Sequence, residues 1–169
     1  GVTVTLSTTN SAAVDIAPKT VTIPAGQTQP ATQPQLTGVS VGSVTIAASA
    51  AGYPSASQSV QATATLSFTP ATVNLTGVES KTITLTATTT APAGGIVVNL
   101  AAAPAGIVNV PASVTIPQNS STVSATVTGV AAGTATITAT SATAGISNGT
   151  ATATVTERGS TARRPDSMR

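Results

Sequence analysis

A chain of 169 residues with 6% charged and 1% aromatic side chains, a net charge of +2 and 40% hydrophobic content is neither a charged disordered tail nor a coiled coil. Thr, Ala and Val supply 35, 31 and 19 residues, and side chains this small or β-branched suit pleated strands, so the default is an all-β protein. His and Cys are absent, which removes the usual general base, the usual thiol nucleophile and the two commonest transition-metal ligands.

Taken in chain order, period-two alternation marks a strand at Val2, Val4 and Leu6 and another at Val44, Ile46 and Ala48. It returns at Ala62, Ala64, Leu66 and Phe68, then at Ile83, Leu85 and Ala87, and at Val123, Ala125 and Val127. The last two predicted strands carry Ala135, Ile137 and Ala139, and Ala151, Ala153 and Val155. Between these apolar residues stand mostly Thr and Ser, as a strand with one wet face requires. Turn residues such as AGYPS, TPA, APAGG, PQNSS and GVAAG recur roughly every 8 to 12 residues, the spacing of a β-sandwich. About seven strands are predicted between Ala64 and Thr156, enough for two packed sheets, and no segment shows a helical period.

The sequence repeats. GVTVTL at Gly1 lines up with GIVVNL at Gly95, PKTVTIP at Pro18 with PASVTIP at Pro111, and LTGVSVGSVTIAAS at Leu36 with VTGVAAGTATITAT at Val127. Offsets of 94, 93 and 91 residues place small loop insertions in the first copy near Ala17 and between Pro30 and Gln35. Residues 64–94, which open the second copy, have no equivalent before Gly1. The expected division is an incomplete repeat over 1–63, a complete one over 64–156, and a flexible charged tail or tag over 157–169. Because Gly1 matches an internal position of the second copy, the sequence reads as cut from a longer array. The alternation through Ala62, Ala64, Leu66 and Phe68 crosses the boundary without Gly, Pro or charge, which predicts a stiff joint.

Charge sits almost wholly in the tail. Residues 1–156 carry only Asp15, Lys19, Glu79 and Lys81, which cancel, whereas Arg158, Arg163, Arg164 and Arg169 outnumber Glu157 and Asp166. A nucleic-acid partner needs a basic face, with aromatics for stacking on single strands, and the body has neither. No run of 18 apolar residues exists, so no membrane insertion is expected.

Few residues qualify for chemistry. Asp15 and Glu79 could act as a carboxylate pair only if the fold joined them, and two body carboxylates are too few for a dense calcium site, so no catalytic, cofactor or metal residue is assigned. Ser80 and Lys81 are adjacent in a strand and point to opposite faces. The rows Thr82, Thr84, Thr86, Thr88 and Thr134, Thr136, Thr138, Thr140 read as hydrated outer faces, and Asn74, Asn119 and Asn148 each open an N-x-[ST] triplet. Phe68 belongs to the core, while Tyr53, in the AGYPS turn, is the possible contact residue. A sheet lacking its opening strands exposes unpaired backbone, which makes Val2, Val4 and Leu6 a possible strand-exchange edge.

With LSFTPATVNL, GVESKTITLTA, VTGVAAGTATITATSA and GTATATVT in that order, the second copy resembles the bacterial immunoglobulin-like (Ig-like) domains, group 2, found as tandem modules in invasin, intimin and other large surface proteins. The resemblance spans 64–156 in full and 1–63 in part. It implies tandem Ig-like β-sandwiches, the first without its N-terminal strands, in which Gly133 precedes a strand sending Ala135, Ile137 and Ala139 into the core and Gly42 does the same for Val44 and Ile46. Many members carry a Trp where GIVVNL has none, which implies a light aliphatic core here. Implied too are a place outside the cell or on its surface and a non-catalytic spacer role, with further Ig-like repeats of the same or a neighbouring chain as partners. Family members also include adhesive tips and virion modules. Two alternatives therefore stand beside the spacer: a module binding a host protein or glycan through turn loops, and a strand-exchanging subunit of an extracellular filament or phage virion.

Overall fold

The structure, a computed structural model, describes residues 1–158. All regular structure in them is β. The first half holds β1 (Val2–Thr8), β2 (Val14–Ala17), β3 (Thr20–Ile23), β4 (Gln35–Gly38), β5 (Gly42–Ser49) and β6 (Ala56–Ala62). The second holds β7 (Ala64–Thr69), β8 (Thr72–Thr76), β9 (Ser80–Ala87), β10 (Ile96–Ala103), β11 (Val108–Asn109), β12 (Ser113–Ile116), β13 (Thr122–Gly129), β14 (Gly133–Thr140), β15 (Ile146–Ser147) and β16 (Gly149–Thr156).

The second half closes two sheets over one core. One sheet runs β12-β10-β14-β16-β8 and the other β11-β13-β9-β7-β15, antiparallel except where β8 joins β16 and β15 joins β7. Lettered by position in the sheets, these are the C′-C-F-G-A′ and D-E-B-A arrangements of an Ig-like sandwich, with the two-residue β15 added beside A. Its opening strand splits at Pro70, since a proline has no N–H to carry the ladder onward, so β7 stays in one sheet and β8 crosses to the other. That split, with the two-residue β11 and β15, gives more strands than the seven expected. Alternation then decides what is buried: Leu66, Phe68, Ile83 and Leu85 face Ile96, Val98, Ile137 and Val155 across a single apolar cluster, and the intervening Thr and Ser point outward.

The first half is the same sandwich with pieces missing. Its sheet β3-β1-β5-β6 reproduces C′-C-F-G, and its pair β2-β4 reproduces D-E, while A, A′ and B have no counterpart. The repeat is preserved down to backbone detail: Gly52 and Gly145, each following an Ala in matched turns, have φ of 79° and 87°, a left-handed conformation that favours glycine. What remains of the core is two small clusters, Leu6 with Ile16 and Val21, and Ala13 with Val14 and Val44. Of the two insertions, that between Pro30 and Gln35 falls in the loop before β4, whereas Ala17 is the last residue of β2. Glu157 and Arg158 follow β16, and the rest of the expected tail, 159–169, lies outside the described residues.

Thr63 alone separates β6 from β7. Near this joint the halves also touch through turns. Ser40 forms an isolated bridge with Thr90, and Thr90 Oγ1 donates to the Val39 carbonyl at 3.1 Å. Val41, which precedes β5, is buried with the core of the second half rather than the first.

Candidate functional site

The four body charges are consumed locally. Lys19 Nζ lies 3.9 Å from Asp15 Oδ1, four residues away, and Lys81 Nζ lies 3.5 Å from Glu79 Oε1. Glu79 Oε2 accepts the Thr76 N–H at 3.0 Å, and Lys81 Nζ donates to the Asn74 carbonyl at 2.6 Å. These contacts brace the turn between β8 and β9, which is structural work for both residues. Ser80 Oγ is paired at 2.7 Å with Thr128 Oγ1 on β13, so Ser80 and Lys81 take partners on different strands. Among the described residues no three His, Cys, Asp or Glu side chains cluster as a metal site needs, and no helix is long and apolar enough to cross a membrane.

Both outer faces of the complete sandwich are carpets of hydroxyls. On one, Thr122 pairs with Thr86 and Thr86 with Ser67, and in the next row Ser124 pairs with Thr84 and Thr84 with Thr69. On the other, Thr134 pairs with Thr154 and Thr136 with Thr152. Thr88 leaves the row, because β9 ends at Ala87 and Thr88 Oγ1 instead accepts the Thr65 N–H at 3.0 Å. Asn74, Asn119 and Asn148 are all exposed.

Phe68 is buried in the core, 5% exposed. Tyr53 is 62% exposed, and its N–H donates to the Ala50 carbonyl at 3.2 Å in a turn. With Val2, Val4, Ile23, Ala48 and Ala56 it lines a groove of about 310 Å³ on the open side of the first half. Val2, Val4 and Leu6 are therefore brought to the groove or the small core beneath it, but they do not form an edge. Strand β1 is interior to its sheet, paired with β3 over Val2–Thr5 and with β5 over Thr5–Thr8. Alternation reveals which way side chains point; it does not reveal which strands lie alongside, and the sheet edges of the first half are β2, β3, β4 and β6, of which β4 and β6 are the two whose repeat equivalents carry a further strand.

The joint between β6 and β7 was legible in the alternation, but the turn contacts beside it were not. A second depression, about 390 Å³, lies there between Asn10, Val39 and Ser40 on one side and Thr90, Pro92 and Asn119 on the other. Ser40 is buried, with its Oγ donating to the Ala12 carbonyl at 2.9 Å. No periodic pattern covers 39–41, so the only available signal was that Val39 and Val41 are apolar residues in a turn.

Strand order defines the class: an all-β chain of two tandem Ig-like units, the first (β1–β6) open and the second (β7–β16) closed. Solved structures of similar arrangement include domains 4 and 5 of the S-layer protein SbsC, at 19% identity and TM-score 0.43 over 90% of this chain and 70% of that one. A longer SbsC structure, domains 1–6, gives 20% identity and TM-score 0.45 over 92% of this chain, which spans only 20% of it. The D0-D1 region of intimin gives 11% identity and TM-score 0.40, covering 90% and 81%. No protein-family model matches the sequence, nor does any curated protein.

Proposed function

We propose that the chain is a non-catalytic structural spacer of a bacterial cell-surface or secreted adhesin-like repeat protein. The observation that carries this reading is the joint. A single residue, Thr63, links β6 to β7, and the Ser40–Thr90 bridge with the burial of Val41 adds a second fastening beside it. Two tethers leave few free dihedrals, unlike a Gly/Ser linker that lets modules tumble. Repeating such units extends reach without any chemistry of their own, and the local pairing of every body charge suits that role. Small-angle scattering of the intact chain is expected to give a maximum dimension close to two unit lengths with a narrow distribution. A compact side-by-side pair, or the broad distribution of a floppy tether, would sink the spacer reading.

A second reading, a module that binds a host protein or glycan, draws on the exposure of Tyr53. A glycan array probed with the native chain and with Tyr53→Ala distinguishes it: saturable binding lost in the variant favours recognition over spacing.

A further inference from the structure

Four turns, two from each unit, meet in the notch of about 390 Å³ at the joint: those carrying Asn10 and Val39 from the first, and those carrying Thr90 and Asn119 from the second. That volume suits a small ligand. Backbone contacts hold the turns in place, not the side chains that line the space. Ala91 N–H donates to the Ser120 carbonyl at 2.7 Å and Asn119 N–H to the Ala91 carbonyl at 3.0 Å, which locks the two turns of the second unit together. In the first unit Val39 N–H and Ser40 N–H both donate to the Ala13 carbonyl, at 2.8 and 3.2 Å, and the Ser40–Thr90 bridge joins the two halves of the wall. Walls built this way keep their geometry before anything binds.

The lining divides by chemistry. Ala12, Val39, Ala91 and Pro92 present carbon, and Val39 is 45% exposed there. Asn10, Gln118 and Asn119 bring side-chain amides, all three on exposed residues. Among the described residues only the Asn10 amide has a protein partner, its Oδ1 accepting the Ala12 N–H at 3.1 Å. The Asn10 NH2 and both groups of Gln118 and Asn119 are left to meet something from outside. Asn119 stands out for a second reason. Its φ is 62°, and every other described residue at positive φ is a glycine. Glycine would serve that backbone at least as well, so the turn alone does not account for an amide at this position.

We propose that the notch is a binding site for a neutral saccharide unit. A sugar ring offers C–H groups on its faces and hydroxyls around its rim, which matches a floor of carbon bordered by amides that both donate and accept. No ionisable side chain is among the described residues lining the notch, so a charged ligand would lose hydration there without gaining a counter-charge. No aromatic ring lies there to stack on, and a single sugar is expected to bind at about 1 mM or weaker. Once seated it touches turns of both units and so braces the joint. The proposal rests on the notch alone; it is independent of the spacer reading, and the site shares no residue with the Tyr53 groove.

Amide-resolved NMR of the intact chain tests it. Glucose, galactose and N-acetylglucosamine serve as neutral probes and glucuronic acid as the charged control. At least one neutral probe is expected to shift the amides of Asn10, Ser40, Thr90 and Asn119 saturably, while glucuronic acid leaves them in place. Asn119→Gly keeps the positive φ and removes the amide; combined with Gln118→Ala it is expected to weaken binding by about tenfold, the effect of losing two hydrogen bonds. Tyr53→Ala is expected to change nothing at the notch, so binding through Tyr53 and binding here can fail separately. The proposal is overturned by the absence of a saturable shift with every neutral probe, by equal shifts with glucuronic acid, or by undiminished binding in the double variant. Saturable shifts centred on Tyr53 and missing from the notch overturn it too, in favour of the Tyr53 reading.

Discussion

Ile46 and Ile137 occupy the same place in the repeat, on strands that follow matched glycines, yet Ile137 is sealed in a core and Ile46 is half-open to water. The contrast recurs at Val4 and Val98 and at Leu36 and Val127. Side-chain identity is nearly constant across these pairs. What changes is whether strands equivalent to β7, β8 and β9 lie opposite. Burial in a sandwich is thus a property of the sheet across the core, and a unit can keep its own strand order while lacking the surface that would complete it. Gln58 illustrates the tolerance this creates: it occupies the inward position held by Ala151 in the closed unit, and its amide remains exposed.

The comparison can be broken most severely by amide exchange. Val44–Ala48 of the open unit is expected to exchange at least about a hundredfold faster than Ala135–Ala139, because a local opening there exposes only two small clusters instead of a whole core. Equal protection would mean that the open unit draws its stability from somewhere other than its own strands. A point substitution sharpens the same contrast. Ile137→Ala is expected to destabilise by about 2–5 kcal/mol in urea melts, the range for truncating a buried aliphatic side chain, and Ile46→Ala by about half as much, since water already reaches that site. A smaller effect is expected at the matched glycines. Both Gly52→Ala and Gly145→Ala force a non-glycine residue to positive φ, but only at Gly145 would the new Cβ crowd the Ala62 backbone carbonyl at 3.2 Å and displace the movable Gln61 amide, while Gly52 has open space. Thermal unfolding should therefore show Gly145→Ala as the worse of the two, by about 0.5 kcal/mol.

Much of this architecture was legible in the residues because its determinants are local. Alternation gave the inward face of nearly every long strand, turn residues marked the ends, and the repeat exposed the missing opening segment. Pairing was not legible. Whether β1 lies inside a sheet or at its margin depends on β3 and β5, which are distant in sequence, so the edge expected at Val2, Val4 and Leu6 is an interior strand, and the margins fall at β2, β3, β4 and β6. Val41 was hidden for a similar reason, as nothing in VSVG distinguishes a turn residue that caps its own unit from one that inserts into the next. The groove at Tyr53 combines both problems: its walls come from four strands and two connecting segments, and its opening is defined by what those strands lack.

The pairing of Asp15 with Lys19 and of Glu79 with Lys81 has a further consequence. Two close pairs of opposite sign, with hydroxyls over the rest of the sandwich surface, leave little electrostatic field more than a Debye length away. Copies of the body crowded together would neither repel nor attract one another at long range. Their encounters would be governed by shape and hydration, with rates nearly indifferent to ionic strength, and brackish or dilute surroundings would leave their spacing unchanged.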